Sequence, residues 1–124
     1  MSRASERGAV AVEFAILAPV LVMLLLGIME FARVYNAQAS LSSAAREGVR
    51  VMAISNDKTA ARTAAKNAAL SLRPALTDAN ISFGGAYCTP GTQITISISY
   101  NLSTMTGIAG PFPMKGQGAM LCGG

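Results

Sequence analysis

The residues of this chain whose types and spacing could support chemistry lie near the N-terminus, where a glycine precedes an apolar run containing one carboxylate. The run begins at Arg7-Gly8-Ala9 and continues to Glu13-Phe14. Hydrolysis of the peptide bond after Gly8 would leave Ala9 with a free α-ammonium group. Glu13 lies four residues beyond Ala9, so on a helix its carboxylate shares a face with that ammonium. A cut between Gly8 and Ala9 would therefore create a cation with which Glu13 could form a charge pair.

Glu13 requires compensation if the apolar run enters a membrane. A carboxylate inside a bilayer costs about 2.5–3.5 kcal/mol on insertion scales. If identical or similar helices stack with an axial stagger, Glu13 of one subunit neutralises the Ala9 ammonium of the next, and the pair sets the register of assembly. The alternative is that Glu13, close to the end of the run, reaches lipid headgroups and water. Both interpretations stay open at the level of residue types.

The apolar run predicts one membrane-spanning helix over residues 9–29. Its length of about 21 residues matches a hydrocarbon core of roughly 30 Å at 1.5 Å of rise per residue. Residues 1–8 carry Arg3 and Arg7 against Glu6, an excess of positive charge that predicts a cytoplasmic N-terminus. A cleaved secretory signal is the rival interpretation, but the run is long for one and no clear A-x-A-like site follows it. The remainder of the chain is therefore expected outside the cytoplasm.

Composition argues against several classes of function. Histidine and tryptophan are absent, and the carboxylates are scattered, so no nucleophilic triad, metal site or phosphate-binding loop can be assembled. The ten Lys and Arg residues are spread along the chain rather than clustered, and with three Tyr and four Phe there is little to stack on bases. We expect no enzyme activity, cofactor, small-molecule substrate or nucleic-acid partner.

The segment RGAVAVEF, together with GIMEFARV and AAREGVR further along, resembles the TadE-like family of pseudopilins of the tight-adherence (Flp-type) pilus system. The resemblance covers residues 7–53, in which Gly8, Glu13 and the aromatic Phe14 form a prepilin-peptidase signature. It implies that a membrane-embedded aspartyl prepilin peptidase cuts between Gly8 and Ala9. It also implies a minor pilin-like product in the bacterial inner membrane, with pilins, pseudopilins and pilus assembly proteins as partners. The C-terminus, MLCGG, departs from the acidic final segment of many relatives.

Beyond the membrane run, helical spacing of apolar residues predicts that the first helix continues to residue 53. A second helix is expected over residues 58–72, capped by Asn56 or Asp57 and ended by Pro74. Its alanine stripe is expected to pack inward, with Lys58 and two further cations turned outward.

Strands are expected over residues 80–83, 92–100 and 117–122, and residues 104–116 are expected to form a long loop. Strict alternation of Ile94, Ile96 and Ile98 makes the middle strand the clearest of the three.

Two cysteines, Cys88 and Cys122, lie far apart in the sequence without a C-x-x-C motif. Outside the cytoplasm they could pair and close a long loop, which would contribute about 3–4 kcal/mol. The alternative is two unpaired thiols.

The sequence as a whole predicts an α+β protein of pilin-like architecture. We expect a basic cytoplasmic leader that is cleaved (1–8), a membrane helix (9–29), an extracytoplasmic extension (30–55) and a small α+β domain (56–124). The expected function is that of a pseudopilin for biogenesis or assembly of a tight-adherence pilus. The alternative is an uncleaved, single-span membrane-anchored module that binds a partner outside the cytoplasm.

Overall fold

The chain of 124 residues is an α+β protein. A computed structural model describes residues 3–104, 107 and 110–123. Two α-helices and a three-stranded antiparallel sheet form the regular structure of these residues, with a short 3₁₀ turn at Asp78–Asn80 before the first strand. The elements in chain order are α1 (Arg3–Ser55), α2 (Lys58–Asn67), β1 (Ile81–Phe83), β2 (Gln93–Leu102) and β3 (Phe112–Leu121).

Helix α1 begins before the apolar run and ends beyond it, which confirms the predicted long first helix. The chain stays helical through Pro19. Contacts divide the chain into two compact units, Met1–Ala32 and Arg33–Gly124. In the first unit the helix leaves its apolar side chains exposed, whereas in the second unit the helix contributes to a core.

The core of the second unit is built from one face of α1, the alanines of α2 and one face of the sheet. The helical spacing of Leu41, Ala45, Val49 and Met52 places these fully or almost fully buried side chains on one side of α1. Burial of each large apolar side chain contributes about 1.5–3 kcal/mol. Each layer of this unit is therefore stabilised mainly through the other two.

Helix α2 begins as predicted but ends earlier. The Asp57 side chain caps it by accepting hydrogen bonds from the backbone N–H groups of Thr59 (2.9 Å) and Ala60 (3.3 Å). The predicted end at residue 72 is wrong, because after Asn67 the backbone tightens into i→i−3 bonds, such as that from Leu72 N to Ala69 O at 3.3 Å. This turn still buries the side chains of Ala69 and Leu72.

The cations of α2 do not all point into solvent as expected. The Lys58 and Arg62 side chains lie over the Phe83 ring, at 5.4 and 5.1 Å from its centroid. Lys66 forms an ion pair of 2.8 Å with Asp78. Because Phe83 lies on β1, these cation–π contacts connect α2 to the sheet.

The sheet has the order β1-β2-β3, with β2 in the centre. On β2 the side chains of Ile94, Ile96, Ile98, Tyr100 and Leu102 are buried in strict alternation, as the sequence pattern predicts. The hairpin between β1 and β2 is confirmed, with Phe83 opposite Ile96.

Strand β3 has ten residues and is longer than the six-residue strand expected. It pairs with β2 along its whole length, from Phe112 opposite Leu102 to Leu121 opposite Gln93. The predicted start at residue 117 and the predicted loop over residues 104–116 are therefore wrong for residues 112–116. Of the rest of that loop, residues 105, 106, 108 and 109 lie outside the described part of the chain. The sequence of this strand contains Pro113 and two glycines, which are uncommon in strands, so the alternation of apolar and polar residues that predicts a strand is missing.

These two glycines let β3 approach the backbone of α1. A Cβ added to Gly116 would lie 2.6 Å from the Leu41 carbonyl oxygen, and one added to Gly118 would lie 2.8 Å from that of Ala45. Real Cβ atoms do not tolerate such distances, so any side chain at these positions would push the strand away from the helix.

Candidate functional site

The residues that the sequence singles out near the N-terminus all lie on α1 within the first unit. Gly8, Ala9, Glu13 and Phe14 are helical and exposed, with Phe14 at 68%. Ala9 and Glu13 are four residues apart on one continuous helix, which places them on the same face. A peptidase or a neighbouring helix approaching this face would meet Ala9 and Glu13 together.

Gly8 has no packing role in the described part of the chain. A Cβ built on it would meet no neighbouring atom within 4 Å, and the same is true of Gly27 on the same helix. Glycine inside a helix is less favourable than alanine by about 1 kcal/mol. Because folding does not explain Gly8, any requirement for glycine at this position must come from something that acts on the chain.

Glu13 lies in an apolar environment on the helix surface. Its neighbours Val12, Phe14 and Ile16 are exposed by 60%, 68% and 69%. No ion pair between described side chains involves Glu13. A carboxylate in such surroundings is inexpensive in water and expensive in lipid, where it needs a cation or a route to the headgroups.

The surroundings of Glu13 belong to a helix of membrane-spanning type. Over Ser5–Ser55 this is the one helix among the described residues that is long and apolar enough to cross a membrane, with a mean hydropathy of 2.6 in its most apolar window. None of that window is buried inside the protein. An exposed helix of this kind differs from the core helix of a soluble domain, whose apolar face would be covered.

The two cysteines both belong to the second unit. The structure brings Cys88 and Cys122 together as a disulfide, with Cα atoms 5.5 Å apart and both residues buried. The backbone N–H of Cys88 donates to the Asn56 side-chain oxygen at 2.7 Å, and that of Gly123 donates to the Ala53 carbonyl at 3.3 Å. The bridge thus fastens the C-terminal residues beside the end of α1.

Sequence reasoning overlooked one polar feature of the second unit. Arg33 on α1 and Arg73 after α2 line a common cleft with Asn36 and Ser71. Forty residues separate the two arginines in the sequence, and no local motif connects them. Only the packing of the turn after α2 against α1 brings them to the same cleft.

Elsewhere in the described residues, no group of three or more His, Cys, Asp or Glu side chains is arranged to hold a metal ion. The disulfide joins the two cysteines to each other, and no Asp or Glu belongs to the described linings of the clefts that contain Arg33, Asn80 or Thr95.

Comparison with models of protein families gives a match for part of the chain. Residues 8–50 match the model of a family described as TadE-like protein. The matched segment starts at Gly8 and ends within α1, so it covers the apolar part of the helix and part of its buried continuation. No curated protein and no solved structure matches the chain.

Proposed function

We propose that this chain, whose residues 8–50 match the model of the TadE-like family, is a membrane-anchored pilin-like subunit for the biogenesis or assembly of a tight-adherence (Flp-type) pilus. The observation that carries this proposal is the coincidence of the RGAVAVEF segment with the start of an exposed, membrane-length helix. The role is structural rather than catalytic. Its partners are the membrane lipid, a prepilin peptidase, and other pilins and assembly proteins.

Processing is the first step of the proposed function. A prepilin peptidase hydrolyses the peptide bond after Gly8, which leaves a carboxylate on Gly8 and an α-ammonium on Ala9. Support comes from the exposure of this segment and from the finding that no described atom would contact a Cβ at position 8. The helix must unwind locally to present an extended bond to a peptidase. Its first turn has unpaired N–H groups, so unwinding begins there at low cost.

Assembly is the second step. The exposed apolar face of the first unit offers van der Waals contact to neighbouring helices in the membrane. Glu13 of one subunit pairs with the Ala9 ammonium of the next, so that each charge is compensated inside the assembly. Because an unpaired charge in lipid is penalised by several kcal/mol, this pairing selects one axial register over its neighbours.

The proposed topology places the N-terminus in the cytoplasm and the second unit outside it. Arg3 and Arg7 at the leader support this orientation through the positive-inside rule. The disulfide between Cys88 and Cys122 supports export, because such bonds persist in oxidising compartments and are rare in the cytosol. On this orientation residues 1–8 are the leader and residues 9–29 cross the membrane.

One observation favours a second candidate. The family match ends at residue 50, whereas the α+β core extends to Cys122. An uncleaved protein that uses α1 only as a tether, and its second unit as a binding module, would also leave that core unmatched. The two candidates differ in whether Gly8 matters.

We expect Gly8→Ala to block maturation without affecting membrane insertion. Alanine is a good helix former and meets no neighbour at this site, so the variant should fold and insert normally. The matched control is Gly27→Ala, which makes the same change at a second contact-free glycine of α1. The measurement is the mass and N-terminal sequence of the chain purified from its native host.

The wild type and Gly27→Ala should begin at Ala9, and Gly8→Ala should retain residues 1–8. A wild-type chain that keeps those residues in cells with an active peptidase would exclude the pseudopilin role and leave the tethered module.

A further inference from the structure

The cleft that contains Arg33 and Arg73 has a volume of about 200 Å³ and is open to solvent. It lies entirely within the second unit, and its polar side chains are those of Arg33, Asn36, Ser71 and Arg73. No Asp or Glu belongs to the described residues that line it. Two positive charges and two hydrogen-bonding side chains therefore face a common space.

Both guanidinium groups are held in place by backbone carbonyls. Arg33 Nη1 donates to the Ser103 carbonyl at 3.0 Å, and Arg73 Nη1 donates to the carbonyls of Leu70 at 2.8 Å and Leu72 at 2.9 Å. A guanidinium has five N–H donors, so each arginine can keep its anchor and still offer N–H groups to a bound oxyanion. Anchored arginines of this kind lose less side-chain freedom on binding.

The charges of Arg33 and Arg73 both act on the hydroxyl group of Tyr100. The Tyr100 hydroxyl donates a 2.6 Å hydrogen bond to the Pro74 carbonyl. Burial raises the pKa of this hydroxyl, while the charges of Arg33 and Arg73 both act to lower it. Two like charges that line one cleft repel each other, and an anion between them would relieve that repulsion.

The position of Arg33 in the chain indicates where such an anion would come from. Arg33 is the fourth residue after Met29, the last residue of the apolar run. Both residues lie on α1, so the rise between them is about 6 Å at 1.5 Å per residue. The headgroup and interfacial layer outside the hydrocarbon core is about 5–8 Å thick on each side. Arg33 is therefore tethered within reach of the phosphate groups of the lipid.

We propose that the Arg33–Arg73 cleft binds the phosphate of an anionic phospholipid headgroup. This inference rests on the membrane span of the proposed function. The ligand's phosphate oxygens accept charge-assisted hydrogen bonds from both guanidinium groups, and Asn36 and Ser71 supply neutral polar contacts. Bound lipid would hold the second unit against the membrane surface before assembly.

The test uses the full-length chain in neutral detergent, titrated with phosphatidylglycerol, phosphatidylcholine or inorganic phosphate and followed by native mass spectrometry. Wild type should bind phosphatidylglycerol at least about tenfold more tightly than phosphatidylcholine or phosphate. Arg33→Gln and Arg73→Gln should each weaken that binding by about tenfold or more, the range of a lost charge-assisted hydrogen bond. The matched control, Arg46→Gln, removes one exposed positive charge outside the cleft and should change binding by less than about threefold, as for a long-range surface charge.

Arg73→Lys keeps the charge without the planar fork and should bind between wild type and Arg73→Gln. Far-UV circular dichroism of each variant checks that its fold is retained. Equal affinities of Arg73→Gln and Arg46→Gln would overturn the proposal. So would phosphate binding as tightly as phosphatidylglycerol, because the occupant would then be a free anion.

Failure of this inference can be separated from failure of the proposed function. If the chain stays in the membrane fraction and loses residues 1–8 but shows no lipid preference, only the cleft assignment is wrong. If it does not remain in the membrane fraction, the proposed function itself fails.

Discussion

Glu13 shows how one side chain can decide between tethering and assembly. It lies on an exposed helix surface that is otherwise apolar, and its carboxylate is four residues from Ala9. If α1 only anchors the protein, Glu13 is a cost of about 2.5–3.5 kcal/mol that headgroups must offset. If α1 assembles with its neighbours, Glu13 is compensated only in the axial register that places it beside the Ala9 ammonium of the next subunit. Every other register keeps the full cost of the unpaired charge.

We expect Glu13→Gln to be processed normally but to assemble poorly. The amide keeps the size and polarity of the side chain and removes the charge that compensates the Ala9 ammonium. Glu13→Asp is the matched variant, because it keeps the charge on a shorter side chain and should retain part of the assembly. The measurement is the yield of cross-linked subunit pairs and of pili relative to wild type. Pilus output from Glu13→Gln equal to that of wild type would exclude the charge pair.

At the scale of elements, the close contact between α1 and β3 depends on two glycines of the strand. Gly116 and Gly118 place the strand directly against the helix backbone at Leu41 and Ala45. Glycine weakens an isolated strand by about 0.5–1 kcal/mol relative to alanine. The strand forms nevertheless, because ten residues pair with β2 and because the close approach buries the core beneath it.

We therefore expect Gly116→Ala to destabilise the second unit by about 1–3 kcal/mol, as overpacking typically does. The clash at 2.6 Å involves helix backbone, which cannot rotate away as a side chain would. Gly85→Ala is the matched control, since its added Cβ would meet atoms only at 3.8 Å, an ordinary contact distance. The free energy of unfolding of both variants is measured by urea unfolding of the full chain in detergent, followed by tyrosine fluorescence. A Gly116→Ala variant as stable as Gly85→Ala would contradict the packing described.

At the scale of the whole chain, the disulfide joins Cys88, in the loop between β1 and β2, to Cys122, which directly follows β3. Cys88 and Cys122 are 34 residues apart, and the loop they close contains most of the sheet. A cross-link of this loop length restricts the unfolded chain by about 3–4 kcal/mol in the chain-entropy model. The folded state is fastened near the same point by the hydrogen bond from Gly123 to Ala53.

Loss of the bridge should lower the stability of the second unit by about 3–4 kcal/mol. The double variant Cys88→Ser/Cys122→Ser and the reduced wild type should unfold at similarly lower urea concentrations. Reductant provides the internal control, because it should not affect the double variant. Two free thiols in protein isolated from the native host would instead indicate that this part of the chain is not exported to an oxidising compartment.

Local sequence signals were sufficient to predict the long first helix, the start of the second helix and the central strand, whereas the role of the N-terminal candidate residues stays a prediction. Membrane-length hydrophobicity defined α1, alternation of isoleucines defined β2, and Asp57 marked the start of α2. These features depend on neighbours within one or two turns of the chain, so their signal lies in consecutive residues. The resemblance to the TadE-like family depends on the same kind of local pattern.

Contacts between residues distant in sequence could not be predicted from such local patterns. Residues distant in sequence meet only when α1, α2 and the sheet pack, and this packing decides the Cys88–Cys122 bridge, the Arg33–Arg73 cleft and the full length of β3. Gly116 and Gly118 are the clearest case, because a residue without a side chain carries no pattern of its own. Glycine is required at these two positions because the backbone carbonyls of Leu41 and Ala45, more than 70 residues earlier, leave no space for a side chain. Only folding brings this part of α1 into contact with β3.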